Sequence, residues 1–201
     1  MKMSGAVQTH LPGFDDLVFD AQAVFRTVLE TLSRPGRIKS LPIDIGVPPG
    51  LMPATASICL CLADRDTPLW LDESLRVPEV ESFLRFHTGC TITDDPQAAA
   101  FAIVSDLPDG AMIATFNSGS PEYPDRSTTL IVQTADLRGE HGARLTGPGI
   151  ESEHHLHIAG ATTSLWDAIA LNNAQFPLGV DLLFVADNRL AGIPRSICVE
   201  G

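Results

Sequence analysis

Residues 25–38, FRTVLETLSRPGRI, constrain the chain more than any other stretch. They carry the end of an amphipathic helix and a forced stop. Pro35 has no amide hydrogen for a further helical turn, and its ring pushes Arg34 into extended geometry. Gly36 supplies any positive φ the turn needs. Upstream, Leu17, Ala21, Val24, Phe25, Val28, Leu29 and Leu32 recur at three and four, which predicts the buried face of a helix beginning near Asp15. Asp15 or Asp16 is placed to cap it. Arg34 and Arg37 bracket the turn. They read either as surface charge around a helix stop or as a pre-set fork for a carboxylate or phosphate.

Downstream, helix and strand patterns interleave. Residues 38–41 suggest a short strand, and Pro42, Pro48, Pro49 and Gly50 a connector. Residues 54–63 follow a first-turn Pro53 and are apolar nearly all round, as in a buried helix. Residues 68–71 read as a strand. A helix opens at Pro78 with Val80, Phe83, Leu84 and Phe86 facing inward, and stops at Gly89. Residues 99–104, 128–133, 144–146, 154–158, 180–186 and 196–199 read as strands, and 163–174 as a helix; 111–116 is ambiguous, and 117–126 is a loop rich in Gly, Ser and Pro. The alternation predicts an α/β fold, layered α/β/α around a mixed sheet. Residues 1–13 are expected to form a loosely held arm and 14–201 one domain.

Charge narrows the function classes. The 201 residues carry a formal net charge of −12, which opposes binding to a phosphate backbone, so no nucleic-acid partner is expected. Only Lys2 and Lys39 stand against eleven arginines. The apolar run near 58–63 is far too short to span a bilayer, and the first residues lack the pattern of a secretory leader. Cys59, Cys61, Cys90 and Cys198 form no CxxC pair and read as buried, reduced thiols of a cytoplasmic protein.

No phosphate-cradle motif and no GxSxG elbow occurs, and Ser118 has no context that would make it a nucleophile. Gly147–Pro148–Gly149 reads as a strand-ending turn. Glu151, Glu153, His155 and His157 share a parity and would share a strand face; two neighbouring ligands still need a third, so a solvated face is preferred over a metal site. Arg85 and His87 close a helix, where the dipole favours positive charge whether or not they contact an anion or partner.

Eight segments in order together resemble the bacterial PhnH family of phosphonate metabolism: FRTVLETLSRPGRI (25–38), LADRDTPLWL (62–71), FLRFHTG (83–89), AAAFAIV (98–104), GSPEYPDRSTTLIV (119–132), LTGPGI (145–150), FPLGVDLLFV (176–185) and LAGIPRS (190–196). The resemblance implies a fold similar to the large domain of pyridoxal-phosphate-dependent transferases, without that cofactor or any other. It implies an accessory subunit acting with the G, I and J subunits of the carbon–phosphorus lyase complex. That assembly makes ribose 1-methylphosphonate 5-triphosphate from ATP with release of adenine. It also implies a homodimer when isolated. No catalytic or metal-binding residue is assigned. Arg34, Pro35, Gly36, Arg37, Arg85, His87, Asp181 and Arg195 are the candidates for ligand or subunit contact. The alternative is a small-molecule binder or enzyme that uses an arginine cluster on a phosphorylated or phosphonate ligand.

Overall fold

The computed structural model describes residues 11–43 and 45–200; most of the expected N-terminal arm lies outside them. Six strands run one way and β9 runs against them in a seven-stranded mixed sheet, in spatial order β1-β9-β8-β5-β4-β2-β3. They are β1 (Lys39–Ser40), β2 (Leu69–Leu71), β3 (Ile92–Thr93), β4 (Phe101–Val104), β5 (Thr129–Gln133), β8 (Asp181–Ala186) and β9 (Arg189–Ile193). β3, β2, β4, β5 and β8 pair in parallel; β9 returns antiparallel to β8, and β1 pairs antiparallel with β9. A smaller antiparallel sheet sets β6 (Leu137–Thr146) between β7 (His154–Ile158) and β10 (Cys198–Glu200).

Side chains alternate across the large sheet with the period of two that a pleated strand imposes. Ile103, Ile131, Leu183 and Leu71 face one core, under α1 (Phe19–Ser33), α2 (Pro53–Leu62) and α3 (Pro78–Thr88). Ala102, Val104, Leu130, Val132 and Phe184 face the other, under α4 (Gly110–Ile113), α5 (Thr163–Asn173) and the small sheet. The central strands are buried on both faces, which explains their near-continuous apolar runs. The expected mixed α/β architecture is observed.

Two faces differ from expectation. In α1 the buried residues are Val24, Val28 and Thr31, while Phe25 and Leu29, and Leu17 just ahead of the helix, are exposed. In α3 Val80, Phe83 and Leu84 point inward, but Phe86 is exposed. Helical spacing defines a stripe wider than the neighbouring elements cover, so apolar type alone does not separate its two edges. The ambiguous 111–116 segment starts as α4, because the Asp109 carboxylate accepts from the Met112 amide and caps it. Residues 137–143 join residues 144–146 in one long β6, irregular between Arg138 and Ala143. The last strand belongs to the small sheet. Of the cysteines, Cys59 and Cys90 are buried, Cys61 is half-buried and Cys198 is exposed; all four are free thiols. Burial pushes the Cys59 thiol far up, so it is inert.

Candidate functional site

The stop after α1 is built as the sequence dictates. The Asp16 carboxylate accepts from the amides of Val18 and Phe19 at 3.0 Å and starts the helix. Arg34 ends it at φ −132°, and Gly36 turns the chain at φ +79°. Pro35 and Gly36 are buried. The Gly36 amide donates to the Gly192 carbonyl at 3.2 Å. A Cβ on Gly36 would meet Leu145 Cδ1 at 2.8 Å, and one on Gly149 would stand 2.1 Å from the Ser33 carbonyl oxygen. The Pro35–Gly36 and Pro148–Gly149 turns therefore touch, and close approach of backbones is what their glycines permit.

The arginines of this turn face out. Arg34 is exposed, 4.0 Å from the Glu30 carboxylate. Arg37 is also exposed, and its Nε donates to His154 Nε2 at 3.5 Å, so that His154 nitrogen is an acceptor. Lys39 binds Glu30 at 2.6 Å and holds its carboxyl below the ordinary range. Lys39 thus lies on the β1 edge in a surface ion pair.

The remaining candidates lie elsewhere. Arg85 pairs with Glu81 one turn back, at 3.2 Å. His87 Nε2 lies 2.9 Å from the Leu11 carbonyl oxygen, so this histidine fastens the chain that leads into α1. Arg195 is nearly buried and engages both oxygens of Asp181, the Pro124 carbonyl and the Ser127 hydroxyl. That pair closes the 117–127 loop onto the start of β8. The eight sequence-derived candidates are thus divided among three places, with no hydrogen bond or ion pair joining one place to another among the described residues. Among the described residues, the rings of His154 and His87 engage Arg37 and a carbonyl rather than a serine or cysteine.

The Glu151–His157 set also divides. Glu151 and Glu153 precede the strand. Glu153 accepts from Arg144 Nε at 2.6 Å, which lowers its carboxyl pKa, and Arg144 also holds Glu200 at 2.8 Å. His155 is exposed on β7, and His157 helps line an open cavity of about 600 Å³ with Arg138, Glu140 and His141. Among the described residues no group of three or more His, Cys, Asp or Glu is arranged to hold a metal ion.

Doubly wound sheets bind ligands at the carboxyl ends of their strands, where neighbouring connections leave toward opposite faces. Here that position lies between β2 and β4. Asp72 accepts from the Ser105 amide at 3.1 Å, and Ser74 and Ser105 share a hydrogen bond of 2.8 Å. Arg76, beside them, donates to the carbonyls of Leu71 and Thr93 and pairs with Asp94. Beyond β5 the end is plugged: Gln133 accepts from the Met52 amide at 2.7 Å and donates to the Gly50 carbonyl at 2.9 Å. Sequence reasoning missed Gln133; its one signal is an amide side chain closing an apolar strand. Asp136 continues this edge between Arg189 and Arg138, whose hydrogen bonds hold its carboxyl down at about 2.

Comparison with known proteins adds to this geometry. A family model described as bacterial phosphonate metabolism protein (PhnH) matches residues 12–200. The chain is 35% identical over 201 residues to the alpha-D-ribose 1-methylphosphonate 5-triphosphate synthase subunit PhnH of Rhizobium meliloti (strain 1021), covering 98% of this chain and 99% of that one. It is 29% identical over 177 residues to the putative C-P lyase subunit protein HtxG of Stutzerimonas stutzeri, covering 87% and 83%. No helix among the described residues is long and apolar enough to cross a membrane. The chain belongs to the bacterial phosphonate metabolism protein (PhnH) family.

Proposed function

We propose that this chain is an accessory subunit of a carbon–phosphorus lyase assembly, where it supports synthesis of ribose 1-methylphosphonate 5-triphosphate from ATP with release of adenine. The observation that carries the reading is how its surface is spent. Polar groups at the sheet's carboxyl edge are tied to the chain's own backbone and ion pairs. The outer face of α1, by contrast, offers Phe25 and Leu29 to solvent beside Arg34 and Arg37. Contiguous exposed apolar side chains rimmed by charge are what a subunit presents to other subunits. The full-length likeness to a synthase subunit supports the same reading.

In this reading the partners are the G, I and J subunits, the chain self-associates when alone, and it works in the cytoplasm. The test is co-expression with those three subunits followed by size-exclusion chromatography. Co-elution in one peak is the expected result; a chain that elutes alone overturns the reading. Use of a single arginine cluster on a phosphorylated ligand has less support, because Arg34, Arg85 and Arg195 stand in separate settings. Calorimetry with ATP and methylphosphonate checks that alternative directly.

A further inference from the structure

The small sheet sorts charge to its two ends. Arg138 stands directly across from His157, and Arg144 from His155. Residues opposite each other in an antiparallel pair leave the same face, and 155 and 157 share that face by parity. Leu137, Leu145, Leu156 and Ile158 are fully buried on the other side, so this face looks outward. At one end Arg144 is a single guanidinium between two carboxylates, Glu153 and Glu200. At the other end Asp136 is a single carboxylate between two guanidiniums, Arg138 and Arg189.

The end rich in guanidinium is also hollow. Residues 139–142 of β6 fall between two consecutive pairs, Arg138 with His157 and Ala143 with Leu156. The excursion rejoins the ladder at Gly142, where a Cβ would collide with the Leu156 carbonyl. His141 turns it at φ +55°, a conformation few residues with a side chain adopt. The result is the open cavity of about 600 Å³ lined by Arg138, Glu140, His141 and His157. Arg138 donates through Nε to Asp136 at 2.7 Å, and both its terminal nitrogens stay uncommitted. Among the described residues no hydrogen bond or ion pair holds the side chains of Glu140, His141 or His157.

A guanidinium with two imidazoles is a donor set for a tetrahedral oxyanion. Glu140 has no place on such an anion. A carboxylate only accepts, so it suits hydroxyl groups carried beside the anion. The cavity is larger than a lone phosphate fills and lies in the range of small-molecule sites. We infer that this cavity binds a phosphorylated sugar, with the phosphate on Arg138, His141 and His157 and the hydroxyls on Glu140. Arg34, Arg85 and Arg195 take no part, and the inference stands apart from the subunit reading.

The charges around the imidazoles set a pH dependence. Asp136 and Glu140 offset Arg138 and Arg189, and farther along the face Glu153 and Glu200 outweigh Arg144 beside His155. The empty cavity is therefore close to neutral, and binding draws on imidazolium charge. Histidines change charge between about pH 5 and 8, so affinity rises as pH falls through that range. The rise ends where the ester takes its own proton, near about pH 6.

Calorimetry of the full chain with ribose 5-phosphate, inorganic phosphate and ribose tests this, at about pH 6.5 and at about pH 8. Ribose 5-phosphate is expected to bind one to one with a Kd on the order of 1 mM at the lower pH, and about tenfold more weakly at the higher. Inorganic phosphate binds more weakly than the sugar phosphate, and ribose gives no heat. Arg138→Gln weakens ribose 5-phosphate by about tenfold. The double variant His141→Gln, His157→Gln loses the pH dependence, and Glu140→Ala erases the preference for sugar phosphate over phosphate. Absence of saturable binding of ribose 5-phosphate by the native chain overturns the inference. So does binding that survives both Arg138→Gln and the double histidine variant, or a native chain that takes phosphate as tightly as the sugar phosphate. Should Arg138→Gln melt early, the double histidine variant decides alone. Co-elution with the G, I and J subunits is a separate measurement, and its failure leaves this site standing.

Discussion

Gly149 shows how little room the joined turns leave. Its φ of +85° and the 2.1 Å from a built Cβ to the Ser33 carbonyl oxygen both exclude a side chain. Gly149→Ala is expected to cost about 1–3 kcal/mol, the range for a strained backbone position, in urea titration. Gly139→Ala, where nothing lies within 4 Å, is the control and stays near native stability. Asp136 gives a pH signature. Its folded pKa of about 2 lies below the ordinary value near 4, so its contribution to stability is complete above about pH 4 and is lost as pH falls toward 2. Asp136→Asn should lower the neutral-pH melting temperature and flatten the melting profile across that window. Both readings needed coordinates. The sequence shows a glycine beside a proline, and an aspartate after a strand; it does not show that Ser33 or Arg189 is the neighbour.

At the scale of elements, starts and stops were more legible than faces. Pro53, Pro78 and the Arg34–Pro35–Gly36 stop mark helix ends in the structure because they act through covalent geometry, which needs no tertiary partner. The orientation of α1 needed a partner to be known, and its Phe25 and Leu29 look no different from core residues in the sequence. Strand β9 was missed for a related reason. Gly192 interrupts its pattern, and the gap serves α1, whose Thr31 carbonyl oxygen would lie 2.8 Å from any Cβ there. The Arg195–Asp181 pair holds a whole loop, so Arg195→Met should loosen residues 117–127. Asp181, partly exposed, keeps the backbone amide of residue 195 but loses the guanidinium, and the loss is about 2 kcal/mol, read as a lower urea midpoint and faster proteolysis in that loop. Gln133→Leu leaves the Met52 amide and Gly50 carbonyl without their partner. It should cost about 1–3 kcal/mol and raise hydrogen exchange at Met52.

Over the whole molecule, the layered α/β class could be read from alternating patterns, whereas the small antiparallel sheet could not. The exposed residues 138–141 of β6 fall at its irregularity, between the Arg138–His157 and Ala143–Leu156 pairs with β7, so no apolar rhythm marks them. The site candidates failed as one cluster because arginines adjacent in importance need not be adjacent in space. Arg34→Ala tests the division between inward and outward roles: its loose surface ion pair predicts a stability change under about 0.5 kcal/mol, with weakened assembly on a sizing column. The turn that ends α1 is thereby two inheritances in five letters. Pro35 and Gly36 answer to the chain's own interior, where Gly192 and Leu145 leave no alternative. Arg34 and Arg37 answer to whatever lies outside. Among relatives, the inner pair should hold still while the outer pair drifts in step with residues on another surface, so paired substitutions should trace the contact partner across species.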